Sequence, residues 1–125
     1  MGKRTGFGWV RVFGETYNYD VVVYGSRVMR RRKDLSRAYR GEYGHTPLSD
    51  VELNYYIREY GVPEVVIIAT GVYGELPITP KARELLNNLA SKGVKIIIGK
   101  TSDSIVEDVE KLSNRRLLAI IHTTC

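Results

Sequence analysis

The sequence predicts a single α/β domain, residues 1–125, in which helices cover the faces of a β-sheet. The second half of the chain alternates apolar strand-like runs with helical segments, which is the order of an α/β core. The length of 125 residues and the 43% content of hydrophobic residues suit one folded domain. In the N-terminal third, β-branched and aromatic residues separated by turn signals predict an antiparallel meander.

The N-terminal third supplies three predicted strands. Phe7–Phe13 and Tyr19–Tyr24 combine aromatic and β-branched residues, and Arg27–Arg30 follows a Gly-Ser turn signal as an exposed strand. Residues 31–47 are charged and are interrupted by glycine and proline, so we expect a loop with little regular structure. Asp20 is the acid that we expect to be half-buried here, as a hydrogen-bonded turn or edge residue.

The rest of the chain alternates helices and strands. Ser49 and Glu52 form a capping box that begins the first helix. The organising strand, Val65–Ala69, is apolar throughout, as expected for a strand covered on both faces. The later predicted elements are a helix from the Thr79-Pro80 cap to Gly93, a strand over Val94–Ile98, a helix opened by Thr101 or Ser102, and a last strand over Leu117–Ile121.

The loop after the organising strand is a candidate ligand site. In an open α/β sheet, ligands favour the crevice at the carboxyl ends of the strands, and a helix N-terminus offers free N–H groups to an anion. The spacing is Gly-x-x-Gly without the lysine of a phosphate-binding loop, so the alternative remains that the glycines only satisfy turn geometry. The candidate ligand-binding residues are Gly71, Val72, Tyr73, Gly74 and Thr79.

Three further polar residues are candidate functional groups. His122 and Cys125 follow the last strand closely, and a Cys–His pair can form a thiolate nucleophile. Positions three apart on a strand point to opposite faces, so a buried, hydrogen-bonded His122 is the favoured alternative. If the last strand is parallel to residues 65–70, both side chains arrive beside Gly71. His45 is expected to orient its loop by bonding backbone rather than by binding a ligand.

The positive charge of the chain is concentrated in one segment. The net charge is +5, and seven of the 19 Lys and Arg residues lie within residues 27–40, which contain one acid, Asp34. The remaining 12 basic and 13 acidic residues nearly balance. Such a segment can neutralise nucleic-acid phosphates, and the alternatives are a solvated loop or pairing with acids of a second subunit, such as Glu107, Asp108 and Glu110. The basic patch comprises Arg27, Arg30, Arg31, Arg32, Lys33, Arg37 and Arg40.

Composition narrows the class of protein and its compartment. The one cysteine allows no disulfide within the chain, which fits a reducing compartment. Residues 1–6 lack the apolar core of a signal peptide, and no apolar run reaches the roughly 20 residues of a membrane helix. We therefore expect a cytoplasmic protein without a membrane partner. Abundant Ile, Val, Tyr and Arg, with no glutamine, favour a thermophilic source.

Three short motifs together indicate a family. They are Gly-His-Thr-Pro at 44–47, Ile-Ala-Thr-Gly at 68–71 and His-Thr-Thr-Cys at 122–125. The chain resembles the small α/β family of the adipogenesis-associated domain protein and a mitochondrial complex I assembly factor, which has archaeal members of unassigned function. The resemblance covers nearly the whole chain. It implies a three-layer fold around a central mixed five-stranded sheet whose last strand is antiparallel to the others, and it implies no reaction.

These observations lead to three hypotheses about function. The family resemblance and the lack of a recognisable catalytic set favour a non-enzymatic scaffold that self-associates as a homo-oligomer and binds another protein. The alternative is a binder or enzyme that takes an anionic small molecule in the Gly71–Thr79 crevice. The second alternative is nucleic-acid binding through Arg27–Arg40, although no nucleic-acid-binding motif is present. We predict no cofactor and no metal, because two histidines and one cysteine are too few for a typical zinc site.

Overall fold

The computed structural model describes residues 2–125, which form two β-sheets and four α-helices. Within this range no helix is both long enough and apolar enough to cross a membrane. The strands are β1 (Thr5–Gly6), β2 (Trp9–Val12), β3 (Glu15–Tyr17), β4 (Val21–Tyr24), β5 (Arg27–Arg30), β6 (Val65–Thr70), β7 (Lys95–Gly99) and β8 (Leu117–His122). The helices are α1 (Arg40–Tyr43), α2 (Asp50–Tyr60), α3 (Pro80–Ser91) and α4 (Asp103–Lys111).

The central sheet is mixed and has the strand order β5-β4-β8-β6-β7. β6 is parallel to both of its neighbours, β7 and β8, whereas β4 is antiparallel to β5 and β8. The predicted mixed five-stranded sheet is therefore confirmed. The expectation that the last strand is antiparallel to the others is wrong for its pairing with β6. Helical crossovers through α3 and α4 return the chain each time to the end where β6 starts, and this makes neighbouring strands parallel.

The N-terminal third divides between two sheets. β1, β2 and β3 form a small antiparallel sheet, whereas β4 and β5 form a hairpin of the central sheet. The predicted strand Phe7–Phe13 is shorter than expected because Gly8 (φ 87°) and Gly14 (φ 79°) turn the chain on either side of β2. The antiparallel pairing is confirmed, but the predicted meander is interrupted between β3 and β4.

Both faces of the central sheet are covered, which gives three layers. α2 and α3 pack on one face, and α4 and the small sheet pack on the other. All six residues of β6 are buried, as predicted for a strand covered on both faces. Ile67 and Ile68 point to opposite faces and are fully buried. Burial of one such side chain contributes about 1.5–3 kcal/mol.

Serine and threonine side chains cap the three longer helices as predicted. Ser49, Thr79 and Ser102 each accept a hydrogen bond from the backbone N–H three residues later. The capping box of α2 is only half formed, because the Glu52 carboxylate binds Arg31 instead of returning to the Ser49 N–H. That N–H donates to Ser36 Oγ over 3.1 Å.

Residues 31–47 are more ordered than the sequence predicts. They contain two 3-10 turns, Lys33–Leu35 and Arg37–Tyr39, followed by α1. Gly44 ends α1 with a φ of 75°, in the left-handed region that glycine adopts readily. The buried Ser36 fixes the segment to the start of α2, so residues 31–47 cover one edge of the central sheet.

Candidate functional site

The candidate site lies at the end of the central sheet that carries the carboxyl ends of β6 and β8. His122, the last residue of β8, is paired with Thr70 of β6. On the other side of β8, Ile121 is paired with Val21, so Asp20 arrives at the same edge as His122. The chain places β7 on one side of β6 and β8 on the other, so the strand order reverses between β6 and β8, and ligand crevices in open α/β sheets form at such places.

The backbone of the Gly71–Thr79 loop is already hydrogen-bonded within the chain. The N–H groups of Val72 and Tyr73 are therefore not free for an anion, and ligand binding by this loop stays a prediction. Gly74 donates to Gly71, and the Thr79 hydroxyl caps α3. The bonds to the segment after β8 run from Val72 N to Thr124 O (2.7 Å), from Tyr73 N to Cys125 O (3.1 Å) and from Glu75 N to Cys125 O (2.9 Å).

Gly71 permits this close packing. Its φ is 103°, and a Cβ at this position would overlap the main chain of Cys125 and lie 2.7 Å from His122 Cδ2. The glycine is therefore needed for the segment that follows β8 rather than for a ligand. Because β8 is parallel to β6, His122 and Cys125 do arrive beside Gly71, as expected for that strand direction.

His122 is held by a buried carboxylate. Asp20, only 4% exposed, places Oδ2 2.7 Å from His122 Nδ1 and accepts the N–H and the hydroxyl of Thr123 at Oδ1, over 2.8 and 3.0 Å. Burial opposes ionisation of the carboxyl. Four contributions outweigh this effect of burial: the hydrogen bond from His122, the charge of His122, the Thr123 N–H and the charge of Lys33. Together they hold the pKa of Asp20 well below its usual range.

The Asp20 carboxylate fixes the orientation and the tautomer of His122. An ionised carboxylate only accepts hydrogen bonds, so Nδ1 carries a proton and donates it to Asp20. In the neutral ring, Nε2 then carries the lone pair and accepts a hydrogen bond from the Thr124 hydroxyl over 3.3 Å. The His122 side chain is 12% exposed, and His122 lines a cavity.

Arg31, predicted to belong to a basic surface patch, is buried instead. Burial opposes its charge, but Glu52 and Asp20 stabilise it and raise the pKa of the guanidinium above its usual value. The patch prediction is wrong here because two buried carboxylates require a cation between them. Arg31 donates to Glu52 Oε2 (2.8 Å), Glu52 Oε1 (3.1 Å), Asp20 Oδ2 (3.1 Å) and the Pro47 carbonyl (2.8 Å).

The other six basic residues of the segment divide into two groups. One group is exposed and lies over tyrosine rings. Its members are Arg27 on Tyr60 (5.9 Å to the ring centroid), Arg30 on Tyr19 (4.4 Å) and Arg32 on Tyr55 (4.8 Å). The second group, Lys33, Arg37 and Arg40, lines a cavity. Of the seven residues, Arg31 is therefore the one that is buried, and the other six are exposed or half-buried.

This cavity, which we call the basic cavity, has a volume of about 310 Å³ and lies beside His122. Within residues 2–125, neither Arg37 nor Arg40 forms a salt bridge, and Lys33 lies 3.5 Å from Asp20 Oδ2. The basic cavity is lined by Lys33, Arg37, Arg40, Gly44, His45, Thr46, Glu75, Leu76, Pro77, His122, Thr124 and Cys125.

The basic cavity collects candidate residues that are distant in the sequence. His45 is exposed at its wall, and Gly44 rather than the imidazole turns the His45 loop, so the prediction of an orienting His45 is wrong. Cys125 contributes a free thiol to the same cavity. Glu75 and Thr124 also line it, although the sequence did not mark them as candidates. Among residues 2–125 there is no group of three His, Cys, Asp or Glu side chains that could hold a metal ion.

Three of the four acidic side chains of α4, those of Asp103, Glu107 and Glu110, have partners within the chain, whereas Asp108 has none among residues 2–125. Glu110 accepts hydrogen bonds from Arg4 Nε over 3.0 Å and from the Phe13 N–H over 2.9 Å. Glu107 Oε2 lies 3.9 Å from Arg4 Nη1. Asp103 accepts the N–H groups of Arg4 and Thr5. These contacts occupy Glu110 and weaken the alternative in which α4 pairs with the basic segment of a second subunit.

Comparison with solved structures identifies relatives of this chain. The conserved hypothetical protein PH1505 from Pyrococcus horikoshii OT3 is 31% identical, with 100% of both chains covered and a TM-score of 0.74. The chain belongs to the PH1505 family. The protein MT938 is 27% identical over 97% of this chain and 95% of its own, with a TM-score of 0.69. Xanthomonas campestris XCC1710, solved by NMR, is 10% identical with a TM-score of 0.55 and shows a similar fold alone.

No protein-family model and no curated protein matches the chain. None of the PH1505 relatives is named for an activity, so the resemblance to the adipogenesis-associated family stays a prediction. The chemistry of this PH1505 family member must therefore be inferred from its own site. That site combines three cations, an imidazole with a fixed tautomer, a hydroxyl and a carboxyl around one cavity.

Proposed function

We propose that the protein binds a small phosphate-bearing molecule in the basic cavity. The observation that carries this proposal is the position of Lys33, Arg37 and Arg40 around one concave space. Like charges that converge on one cavity repel each other, and a bound anion replaces this repulsion with attraction. A phosphate group, with up to two negative charges and three terminal oxygens, matches three cationic donors better than a single carboxylate does.

The availability of the two arginines supports the same conclusion. Arg37 and Arg40 are exposed, and neither has a salt-bridge partner within residues 2–125. Binding an anion would therefore break no existing ion pair at these two side chains. The guanidinium group also offers paired N–H donors that match two phosphate oxygens at once.

The size and shape of the basic cavity favour a small ligand over a nucleic acid. Its volume of about 310 Å³ lies at the lower end of the range for small-molecule sites, roughly 300–1,000 Å³. A nucleic-acid interface requires an extended basic surface. The segment Arg27–Arg40 loses one cation from its surface because Arg31 is buried, and this weakens the case for nucleic-acid binding.

Calorimetric titration tests the proposal. The probes are inorganic phosphate, pyrophosphate and glycerol phosphate at low ionic strength, and the variant is Arg37→Ala/Arg40→Ala. A hydrogen bond to a charged group contributes about 1.5–3 kcal/mol, so each arginine that is lost should weaken binding by at least about tenfold. The control is Arg58→Ala/Lys92→Ala, which removes the same charge from exposed positions outside the basic cavity. Equal affinity of the two double variants, or no binding by the native protein, would refute the proposal.

Self-association is a second proposal, because it is the expected property of a scaffold and the sheet edge favours it. β7 is an edge strand of the central sheet, and its Ile98 side chain is 43% exposed. An uncovered apolar strand edge is a template for pairing with another strand. Light scattering should give a mass of at least two chains, and Ile98→Lys should shift it towards one chain. A monomer at all concentrations, or an Ile98→Lys variant that keeps the native mass, would contradict this proposal.

A further inference from the structure

The Asp20–His122 pair gives the basic cavity the parts of a catalytic site. We propose that His122 Nε2 is the nucleophile of a phosphoryl-transfer reaction, in which a small phosphate monoester in the basic cavity is hydrolysed through a phosphohistidine. This inference rests on the proposed function, because the cations that bind the phosphate are the same. It adds a reaction and assigns it to a residue that binding alone does not require.

The first requirement is a nucleophile with a free electron pair. Asp20 Oδ2 lies 2.7 Å from Nδ1 and fixes the proton on that nitrogen, so the lone pair of the neutral ring is on Nε2. Asp20 itself cannot turn away, because Thr123 and Arg31 bond its two oxygens. Histidine is one of the side chains that form covalent intermediates in enzymes, and a carboxylate that orients it is a recurrent part of such sites.

The second requirement is positive charge around the transferred group. Phosphoryl transfer depends mainly on positioning and on stabilisation of the charge on the three terminal oxygens. Lys33, Arg37 and Arg40 line the cavity that His122 also lines, so these cations can bind the oxygens while Nε2 faces the phosphorus. The Thr124 hydroxyl donates to Nε2 over 3.3 Å, so it must turn to a phosphate oxygen before Nε2 attacks, and there it supplies a further donor.

The third requirement is an acid for the leaving group. Glu75 is exposed and lines the basic cavity, and its backbone N–H is bonded to Cys125 O over 2.9 Å. This bond fixes the backbone of Glu75 at the cavity wall. We assign proton transfer to its carboxyl group, which reaches the leaving oxygen from the solvent side.

The reaction then has two balanced steps. In the first, the Nε2 lone pair forms a bond to phosphorus, the ester P–O bond breaks, and the leaving oxygen keeps that electron pair and takes the proton of the Glu75 carboxyl. In the second, a water oxygen bonds to phosphorus, the P–N bond breaks with its electron pair returning to Nε2, and the released water proton goes to the Glu75 carboxylate. The products are an alcohol and inorganic phosphate, and the protein returns to its initial state.

The test is a search for the phosphorylated protein. Native protein is mixed with p-nitrophenyl phosphate and with ³²P-labelled acetyl phosphate, then quenched and analysed by mass spectrometry. We expect one added phosphoryl group on His122 that is lost in acid and kept in alkali, together with release of p-nitrophenol. His122→Asn should abolish the label, and Glu75→Gln should lower the turnover of an alkyl monoester such as glycerol phosphate by about 10²–10⁴, whereas nitrophenolate leaves without an acid. Arg58→Ala, on an exposed surface outside the basic cavity, should behave as native.

Asp20 is a positioning residue in this scheme, and its variant needs a readout other than activity. Asp20→Asn should lower turnover with little change in phosphate affinity, and the ¹⁵N chemical shifts of His122 should report a changed tautomer. A variant that fails to fold is recognised by its spectrum, and His122→Asn then carries the test.

The outcomes separate the two proposals. Phosphate binding without any phosphorylated protein or turnover overturns the reaction and leaves the binding proposal standing. An acid-stable phosphate on Thr124 overturns the assignment to His122. If the native protein neither binds phosphate nor takes up the label, both proposals are overturned.

Discussion

The buried ion pair of Arg31 leads to a quantitative prediction about stability. Methionine resembles the unbranched aliphatic part of the arginine side chain, but it lacks the cation that lies between Asp20 and Glu52. The Arg31 and Glu52 side chains are fully buried, so water cannot replace the lost partner. Removing one member of a buried ion pair typically costs about 3–5 kcal/mol, because the other charge is left without compensation.

This loss is large compared with the stability of a domain of this size. The free energy of unfolding of a domain is about 5–15 kcal/mol, and it falls by about 1–3 kcal/mol per molar urea. At about 2 kcal/mol per molar, Arg31→Met should lower the urea midpoint by roughly 2 M. The matched control is Arg32→Met, since its neighbour Asp34 is on the surface and the pair is exposed, and it should leave the midpoint almost unchanged.

The pH dependence of this loss has a definite sign. In the native protein the pKa of Asp20 is depressed on folding, so its stabilisation is present above the usual carboxyl pKa and is lost as the pH falls. In Arg31→Met, a buried carboxylate without its cation favours the protonated form, so the folded state binds protons more readily than the unfolded chain. The deficit should therefore shrink between pH 7 and about pH 5.

The assay is urea denaturation of Arg31→Met, Arg32→Met and Arg31→Met/Glu52→Met at several pH values. The double variant removes both charges of the pair and should recover part of the stability that the single variant loses. The reasoning is refuted if Arg31→Met and Arg32→Met have the same midpoint at neutral pH. It is also refuted if the deficit of Arg31→Met grows as the pH falls.

Two further predictions concern the edge of the sheet. Gly71→Ala should destabilise the protein by about 1–3 kcal/mol or more in urea denaturation, because a Cβ meets the Cys125 main chain at a φ of 103°. Gly93→Ala, also at positive φ but with open space around it, should cost less, and an equal cost would show that packing at Gly71 is unimportant. Asp20→Asn should flatten the loss of stability below about pH 4, because the group whose pKa is depressed on folding is gone. An unchanged acid limb in thermal unfolding would contradict that account.

Features that depend on local sequence were predictable. The Thr79 and Ser102 caps act within four residues, and the uniform apolar run of β6 marks a strand covered on both faces. The site depends on contacts across the chain: Asp20 and His122 are 102 residues apart and meet only because β4 and β8 are neighbours. No local signal gives that pairing.

Arg31 shows the same limit for charge. Its sequence neighbours are Arg30 and Arg32, and nothing in the segment distinguishes it from them. Its burial is decided by Glu52, 21 residues later, and by Asp20, which follows a different turn. The sequence feature that could have indicated the burial of Arg31 is Glu52, which lies in the first turn of α2. An acid on the buried side of a helix requires a cation.

The position of β8 has a consequence for how the chain acquires its fold. This strand follows all the others in the sequence but lies between β4 and β6, and it is hydrogen-bonded to both of them. The β4–β5 hairpin and the β6–α3–β7 unit can each form early, yet they share no strand pairing until β8 enters between them. Closure of the sheet is therefore a late, non-local step, and such steps slow folding. A ribosome that has not yet released residues 117–122 would hold two half-sheets with uncovered strand edges, which are the surfaces on which nascent chains aggregate.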